Sequence, residues 1–215
     1  RRHRPEHAEL PEDAIVTCSF GDASANHSTA QGAFNAAQWT AHQGLPAPVL
    51  FVCEDNGIGI SVRTPGDWIA TSFASRRGLD YFQADGLDLA EGYGDVLRAV
   101  EHCRRTRRPT FLHLGTARLM GHAGTDFEVE YRPLEELLAA EGRDPLLRSA
   151  DIALSTGLLS RDALVDWYES FRARCMAAAQ QADQREKLGS AAEVMAPLAP
   201  YSPAAVMAEA RRADH

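Results

Sequence analysis

Two stretches decide the fold: IVTCSFGDASANHSTAQGAFNAAQW, residues 15–39, and VLFVCEDNGIGIS, residues 49–61. Each opens on a short apolar run and breaks at a turn of small and polar residues. Ala14–Phe20 reads as a strand buried on both faces, because an apolar run without polar alternation suits a covered parallel sheet. After the turn at Gly21–Ser24, the segment Asn26–His42 is alanine-rich and free of proline. Its stripe of Ala30, Phe34, Ala37 and Ala41 predicts a helix with a small packing face. Pro48–Glu54 is a second buried strand, closed by Asp55-Asn56-Gly57. Working outward, Leu79–Asp85 reads as a third strand, Leu87–Arg105 as a helix and Pro109–Gly115 as a fourth strand. Strands alternating with helices in this rhythm predict an α/β fold with a doubly wound, mostly parallel sheet. From Pro133 the text is helical, over Leu134–Glu141, Pro145–Thr156 and Ser160–Arg185. The alanine- and proline-rich stretch from Gly189 reads as an extended linker. The expected organisation is therefore a loop over 1–13, an α/β domain over 14–132, helices over 133–188 and a linker over 189–215.

The composition narrows the function. A chain of 215 residues buries roughly 70% of its unfolded surface and needs no covalent staples. The formal net charge of −8 argues against nucleic acid or an anionic membrane as the main partner. No apolar run, Val49–Cys53 included, is long enough to span a bilayer. Lys187 is the only lysine, so Schiff-base chemistry has a single candidate in a polar stretch. Cys18, Cys53, Cys103 and Cys175 are widely spaced without a Cys-x-x-Cys pair. That pattern points to a reducing, cytoplasmic setting rather than a disulfide framework, with the cysteines in apolar runs acting as small core residues. No signal-peptide pattern opens the chain. With no initiating methionine, Arg1-Arg2-His3-Arg4 reads as the interior of a longer polypeptide.

In open parallel sheets, ligands collect outside the carboxyl ends of the strands. Three of those ends carry polar groups among small residues: Gly21–Asn26, Glu54–Ile58 and Arg118–Asp126. Gly21 and Ala23 let backbone approach a ligand closely, and the helix beginning near Asn26 offers N–H groups to an anion. A carboxylate among such donors would repel a bare phosphate, but a bridging divalent cation reconciles the two. Asp22 with the amide oxygen of Asn56 supplies two hard oxygen ligands suited to Mg2+, and the carbonyl of Ile58 a third. Taken singly, each turn reads first as an N-cap or a routine Asx turn. Their joint occurrence on adjacent strand ends is what distinguishes them.

GDASANHSTAQGAFNAAQW followed by LFVCEDNGIGIS resembles the thiamine-diphosphate signature of the 2-oxo acid dehydrogenases, in the α subunit of their decarboxylating component. That family writes Gly-Asp-Gly and, further on, Asn-Asn. ADGLD at 84–88 and RLMGHAGTDFEVEYR at 118–132 match two further landmarks of the same subunit, and the likeness runs from about Ile15 to Arg185. The resemblance implies a thiamin-diphosphate-binding fold, with thiamine diphosphate and Mg2+ as cofactors. It implies Asp22, Asn56 and the Ile58 carbonyl on the metal, and Gly21, Ala23 and Ser24 along the diphosphate. His122 would reach the diphosphate or act as an acid/base catalyst, with Arg118, Tyr131 and Arg132 shaping its loop. The implied reaction decarboxylates a 2-oxo acid and passes the acyl group to a lipoyl arm. The implied partners are a β subunit or fused β domain and a dihydrolipoyl acyltransferase core. A transketolase-like enzyme and a non-catalytic relic of the fold are the alternatives.

Several residues depart from the family pattern. Ala23 replaces the third glycine, which is tolerable only at negative φ. Asp55 replaces the first asparagine and adds a carboxylate near the site. The connection over Thr40–Pro48 is longer than usual. Ala123 stands where some members carry a regulatory serine, which excludes phosphorylation there. The acidic run Asp126–Glu130 is expected to be mobile without cofactor, the remaining histidines carry no signal, and Arg104–Arg108 reads as solvated surface. Because the resemblance places the carboxylate that activates the cofactor on a β subunit or domain, the chain is expected to be inactive alone.

Overall fold

The computed structural model describes residues 11–195 together with 204, 207, 208 and 211. The chain falls into two compact units, the first ending at Leu159 and the second starting at Ser160. The expected break at 132/133 falls inside the first.

Four parallel strands form the main sheet of the first unit: β1 (Val16–Gly21), β2 (Val49–Asp55), β5 (Asp80–Asp85) and β6 (Thr110–Gly115). Their order is β1-β2-β6-β5. The register sets Gly21 beside Glu54, and both Asp55 and Asp85 beside Gly115, so all four strands end level. The turns that follow therefore emerge along one edge, which is how distant sequence motifs are gathered.

Alternate residues of the central strands feed two separate cores. Phe51, Cys53 and Phe111 belong to one, with Phe34 and Ala37 of α1 (Ser28–His42) and with Ile69 and Phe73 of α2 (Trp68–Phe73). Leu50, Leu112 and Ala84 belong to the other, with Ala99 and Cys103 of α3 (Leu89–Thr106). The alanine stripe of α1 lets that helix close tightly on the sheet. Phe34 then reaches Phe20, Phe51, Phe73 and Phe111 with ring centroids 5.0–5.9 Å apart. Phe73 stacks on Phe111 at 4.3 Å. Such close packing punishes lost volume. Ile69 is fully buried, and Ile69→Val should lower the unfolding free energy by about 0.5–1.5 kcal/mol in a denaturant titration.

α3 is fixed at both ends. Asp88 caps its N-terminus by accepting from Ala90 N and Glu91 N, and Arg107 ends it in the left-handed conformation at φ 58°. The Arg104–Arg108 cluster does more than face solvent. Arg104 bonds Asp13, Arg107 donates to the Ala14 carbonyl and Arg108 pairs with Asp80. These bonds tie the start of β1 and β5 to the end of the helix.

The structure corrects three expectations. β1 is not buried on both faces: it is the sheet's edge strand, and Val16 and Cys18 are exposed because α1 covers only its Phe20 end. All four cysteines are free, but only Cys53 and Cys103 lie in the core. The supposed linker begins with a short helix, α7 (Ala191–Met195). Ser190 Oγ accepts from Glu193 N while Glu193 accepts from Gly189 N, a reciprocal cap that starts a helix. Most of the rest of the expected linker, and residues 1–10 of the loop expected over 1–13, lie outside the described residues. The helices expected after Pro133 are α4 (Leu134–Glu141), α5 (Pro145–Ser155) and α6 (Arg161–Asp183). α5 reaches back to the helix cap of α3 through Arg148, which donates to Asp88 at 2.8 Å. Among the described residues no helix is long and apolar enough to cross a membrane.

Candidate functional site

A cleft of about 1000 Å³ opens where β1 and β2 end. Gly21, Asp22, Ala23 and Ser24 line one side, Asn56 and Ile58 another, and His122 closes it from the loop after β6. All seven residues expected at a site from the sequence thus border one cavity. Phe20, Phe34 and Phe51 form its apolar wall. Among its lining residues Asp22 is the only carboxylate.

Asp22 is 2% exposed. One of its oxygens accepts from the Thr64 hydroxyl, and Thr64 N in turn donates to the Gly57 carbonyl at 3.1 Å. Thr64 therefore ties the first turn to the second. Sequence reading missed it, because Thr64 lies in a stretch with no periodicity. The same stretch holds a two-residue hairpin, β3 (Ile58–Gly59) and β4 (Val62–Arg63). Strands this short leave no pattern to read.

Ala23 opens a short 3-10 turn over Ala23–Asn26. Among the described residues, the only non-glycine residues at positive φ are Ile60 and Arg107, so the condition on Ala23 is met. Its methyl also needs room, and Gly59 provides it: a methyl at 59 would overlap that of Ala23. The loss of one glycine in the first motif is thus matched by a glycine in the hairpin. Asn56 Oδ1 accepts from Ile58 N at 3.1 Å, and Gly57 turns the chain at φ +76°. α1 does not begin at Asn26 but at Ser28, where the His27 ring accepts from Thr29 N. The donors left at the head of the cleft are those of the 3-10 turn, whose first N–H groups have no partner within the turn.

The His122 loop is tied down. Arg118 donates to Glu128 at 2.8 Å, to the Ile60 carbonyl at 2.5 Å and to the Tyr131 hydroxyl at 2.7 Å. Arg132, buried, donates to Glu128 at 2.7 Å and to Glu136 at 3.0 Å. Tyr131 donates to Asp126, which also accepts from His122 N. The acidic run expected to be mobile is bonded at Glu128 by Arg118 and Arg132, and at Asp126 by Tyr131 and His122 N. The His122 ring makes no hydrogen bond among the described residues and is free to meet a ligand.

These bonds have an acid limit. Burial raises the Glu128 carboxyl, but the bonds from Arg118 and Arg132 outweigh it and hold the group below its usual range. The Tyr131 hydroxyl and His122 N–H do the same for Asp126. A depressed folded pKa stabilises the native state above the unfolded value and loses that contribution as pH falls through the folded one. Thermal stability should therefore stay level above about pH 5 and fall below about pH 4. Glu128→Gln should flatten that acid limb.

Asp55 does not face the cleft. Its Oδ1 accepts from Gly57 N at 3.0 Å, and its Oδ2 meets His113 Nε2 at 2.8 Å. His113, given no role from the sequence, is buried and meets the Tyr81 hydroxyl through Nδ1 at 2.7 Å. Beneath them Cys53 is fully buried, and desolvation followed by the Asp55 and Asp22 charges pushes its thiol far up. It is a core residue rather than a nucleophile.

Residues 9–190 match the family model of the dehydrogenase E1 component. The chain belongs to this family. Among curated relatives of this E1 chain is the α subunit of 2-oxoisovalerate dehydrogenase from Bacillus subtilis, 36% identical over 155 residues, covering 69% of the chain and 44% of the relative. The human mitochondrial α subunit of 2-oxoisovalerate dehydrogenase is 27% identical over 177 residues, covering 80% of the chain and 39% of that protein. The type II α subunit of pyruvate dehydrogenase E1 from Ascaris suum is 29% identical over 168 residues, covering 76% and 41%. The E1 chain thus spans about two fifths of the length of the curated relatives it matches. No cluster of three or more His, Cys, Asp or Glu side chains suited to a metal occurs among the described residues. A single carboxylate with amide and carbonyl oxygens is nevertheless a set that Mg2+ accepts when phosphate oxygens complete its octahedron.

Proposed function

We propose that this chain binds the Mg-diphosphate end of thiamine diphosphate in a 2-oxo acid dehydrogenase that decarboxylates a 2-oxo acid and reductively acylates a lipoyl group. The observation that carries the reading is the meeting of Asp22, Asn56, Ile58 and the Gly21–Ser24 turn around one cleft with His122. The buried Asp22, with one oxygen taken by Thr64, keeps its other oxygen for the cation. Asn56 and the Ile58 carbonyl would add neutral oxygens, and the unpartnered N–H groups at the start of the Ala23–Asn26 turn would donate to the diphosphate. When bound, the cofactor supplies the carbon nucleophile and the electron sink for decarboxylation. The chain's own part is to hold the diphosphate still and exclude water along the Phe20–Phe34–Phe51 wall. His122 either donates to a phosphate oxygen or moves a proton at the reacting carbon.

The doubly wound arrangement of the thiamin-diphosphate-binding fold agrees with two cores on opposite faces of a parallel sheet. In this reading 14–132 carries the cofactor and 133–188 is a C-terminal helical segment, whose first helix meets the His122 loop where Glu136 accepts from Arg132. A β subunit or fused β domain and a dihydrolipoyl acyltransferase core complete the assembly, without nucleic acid or membrane as partners. Four unpaired cysteines support a cytoplasmic setting. Family membership speaks against the transketolase-like alternative. The fit of Ala23 against Gly59 speaks against a degenerate site.

The test is calorimetric titration of thiamine diphosphate into the assembled enzyme that carries this chain, with and without Mg2+. Saturable binding that requires the cation is the expected result. Binding indifferent to Mg2+, or none, would remove the reading.

A further inference from the structure

We infer that Tyr81 and His113 are positioning residues for the cation-binding turn, acting on it through Asp55. The inference deepens the cofactor reading and rests on it.

The three groups form one line of hydrogen bonds across three strands, from Tyr81 on β5 through His113 on β6 to Asp55 at the end of β2. None of them lines the cleft. The line ends one residue before Asn56, and its last member holds the turn directly, since Asp55 Oδ1 accepts from Gly57 N. Asp55 is held by its backbone too, with Thr116 N donating to its carbonyl at 2.8 Å. Gly57 is in the left-handed region, so the turn is not fixed by residue preference alone. The clamp on its N–H settles which way Asn56 points.

The far end of the line is rigid. The Tyr81 ring lies nearly parallel to Phe111 at 6.0 Å, within the aromatic core. Burial raises the Tyr81 hydroxyl, and the Asp55 charge raises it further, so the phenol keeps its proton. A phenol that donates to Nδ1 leaves Nε2–H to donate into Asp55, and the tautomer is assigned from these partners. A carboxylate accepts from both Gly57 N and the imidazole without competing donors, and each of its oxygens has one partner. Groups that orient a ligand-bearing segment in this way typically change metal affinity about 10- to 100-fold when removed.

The test measures, in the assembled enzyme, the Mg2+ and the Ca2+ needed for half-maximal thiamine diphosphate binding. Mg2+ demands a near-ideal octahedron, whereas Ca2+ tolerates a loose one. His113→Leu should raise the Mg2+ requirement about 10- to 100-fold and leave that for Ca2+ nearly unchanged. Tyr81→Phe, which keeps the ring and so the core, should shift the Mg2+ requirement the same way by about 3- to 10-fold. Asp55→Asn should behave like the parent, because its oxygen still accepts from Gly57 N and its amide donates to a reversed imidazole tautomer. Asp55→Ala should resemble His113→Leu. A merely structural line would lower the melting temperature and leave the Mg2+-to-Ca2+ ratio alone. An unchanged ratio in Tyr81→Phe and His113→Leu, with the parent binding cofactor normally, overturns the inference and leaves the cofactor reading standing. If the parent itself shows no cation-dependent binding, the cofactor reading falls and takes the inference with it.

Discussion

Replacing Asp22 by alanine is expected to abolish Mg2+-dependent retention of thiamine diphosphate in the assembled enzyme. Asp22 is the sole carboxylate on the cleft and is almost fully buried. Without it, the protein offers the cation only the neutral oxygens of Asn56 and Ile58, and the diphosphate alone must offset the cost of stripping water from Mg2+. The loss in affinity should exceed the roughly 100-fold seen when only a supporting group is removed. Calorimetry reads it directly, and thermal unfolding reads it by linkage. At a ligand concentration of about 100 times Kd the parent gains about 2.7 kcal/mol, and the variant should gain nothing. Alanine also leaves the Thr64 hydroxyl without its acceptor, so Asp22→Asn is the paired variant. It keeps an oxygen for Thr64 and removes only the charge. Should Asp22→Asn fold normally and bind cofactor within a few-fold of the parent, the carboxylate is not a cation ligand.

Gly59→Ala should be nearly as damaging, for a steric reason. Its new methyl would overlap the methyl of Ala23, which sits on the opposite wall of the same cleft. Backbone holds both positions, so the hairpin must move away from the first turn and carry Ile58 with it. Overpacking of this kind costs about 1–3 kcal/mol, and cofactor affinity should fall at least about tenfold if that strain is relieved at the site. The double variant Ala23→Gly/Gly59→Ala provides the control. With the Ala23 methyl gone, the new one meets only Ala23 Cα at 3.8 Å and the Val62 carbonyl at 3.9 Å, which are ordinary contacts. Binding and stability should return toward the parent, giving a large non-additive term in the cycle. Additive effects would mean that the two walls do not meet through these methyls.

The contrast between Asp22 and Thr64 shows how legibility arises. Asp22 follows an apolar strand and precedes a glycine-poor but small-residue turn, and both features are local. Asn56 is marked in the same way by the end of β2. Their strands are adjacent and end level because β2 follows β1 through a single helix, a connection that leaves few choices of topology. The seven cleft residues were therefore readable from short windows. Thr64, Gly59, His113 and Tyr81 were not, because each matters through a partner that is distant in the chain: Asp22, Ala23, Asp55 and His113 respectively. Likewise Glu128 is anchored by Arg118 and Arg132, and Asp126 by the Tyr131 hydroxyl and the His122 N–H.

Periodicity and turn chemistry in this chain suffice for strand–helix alternation, for the parallel sheet and for the polar residues at its carboxyl edge. Those properties are set within a few residues by backbone sterics and the placement of apolar side chains. Whether β1 is covered, which way Asp55 turns and what makes room for Ala23 are settled by neighbours brought together across the sheet. Such contacts leave no mark on the local sequence, since they exist only once the chain has packed.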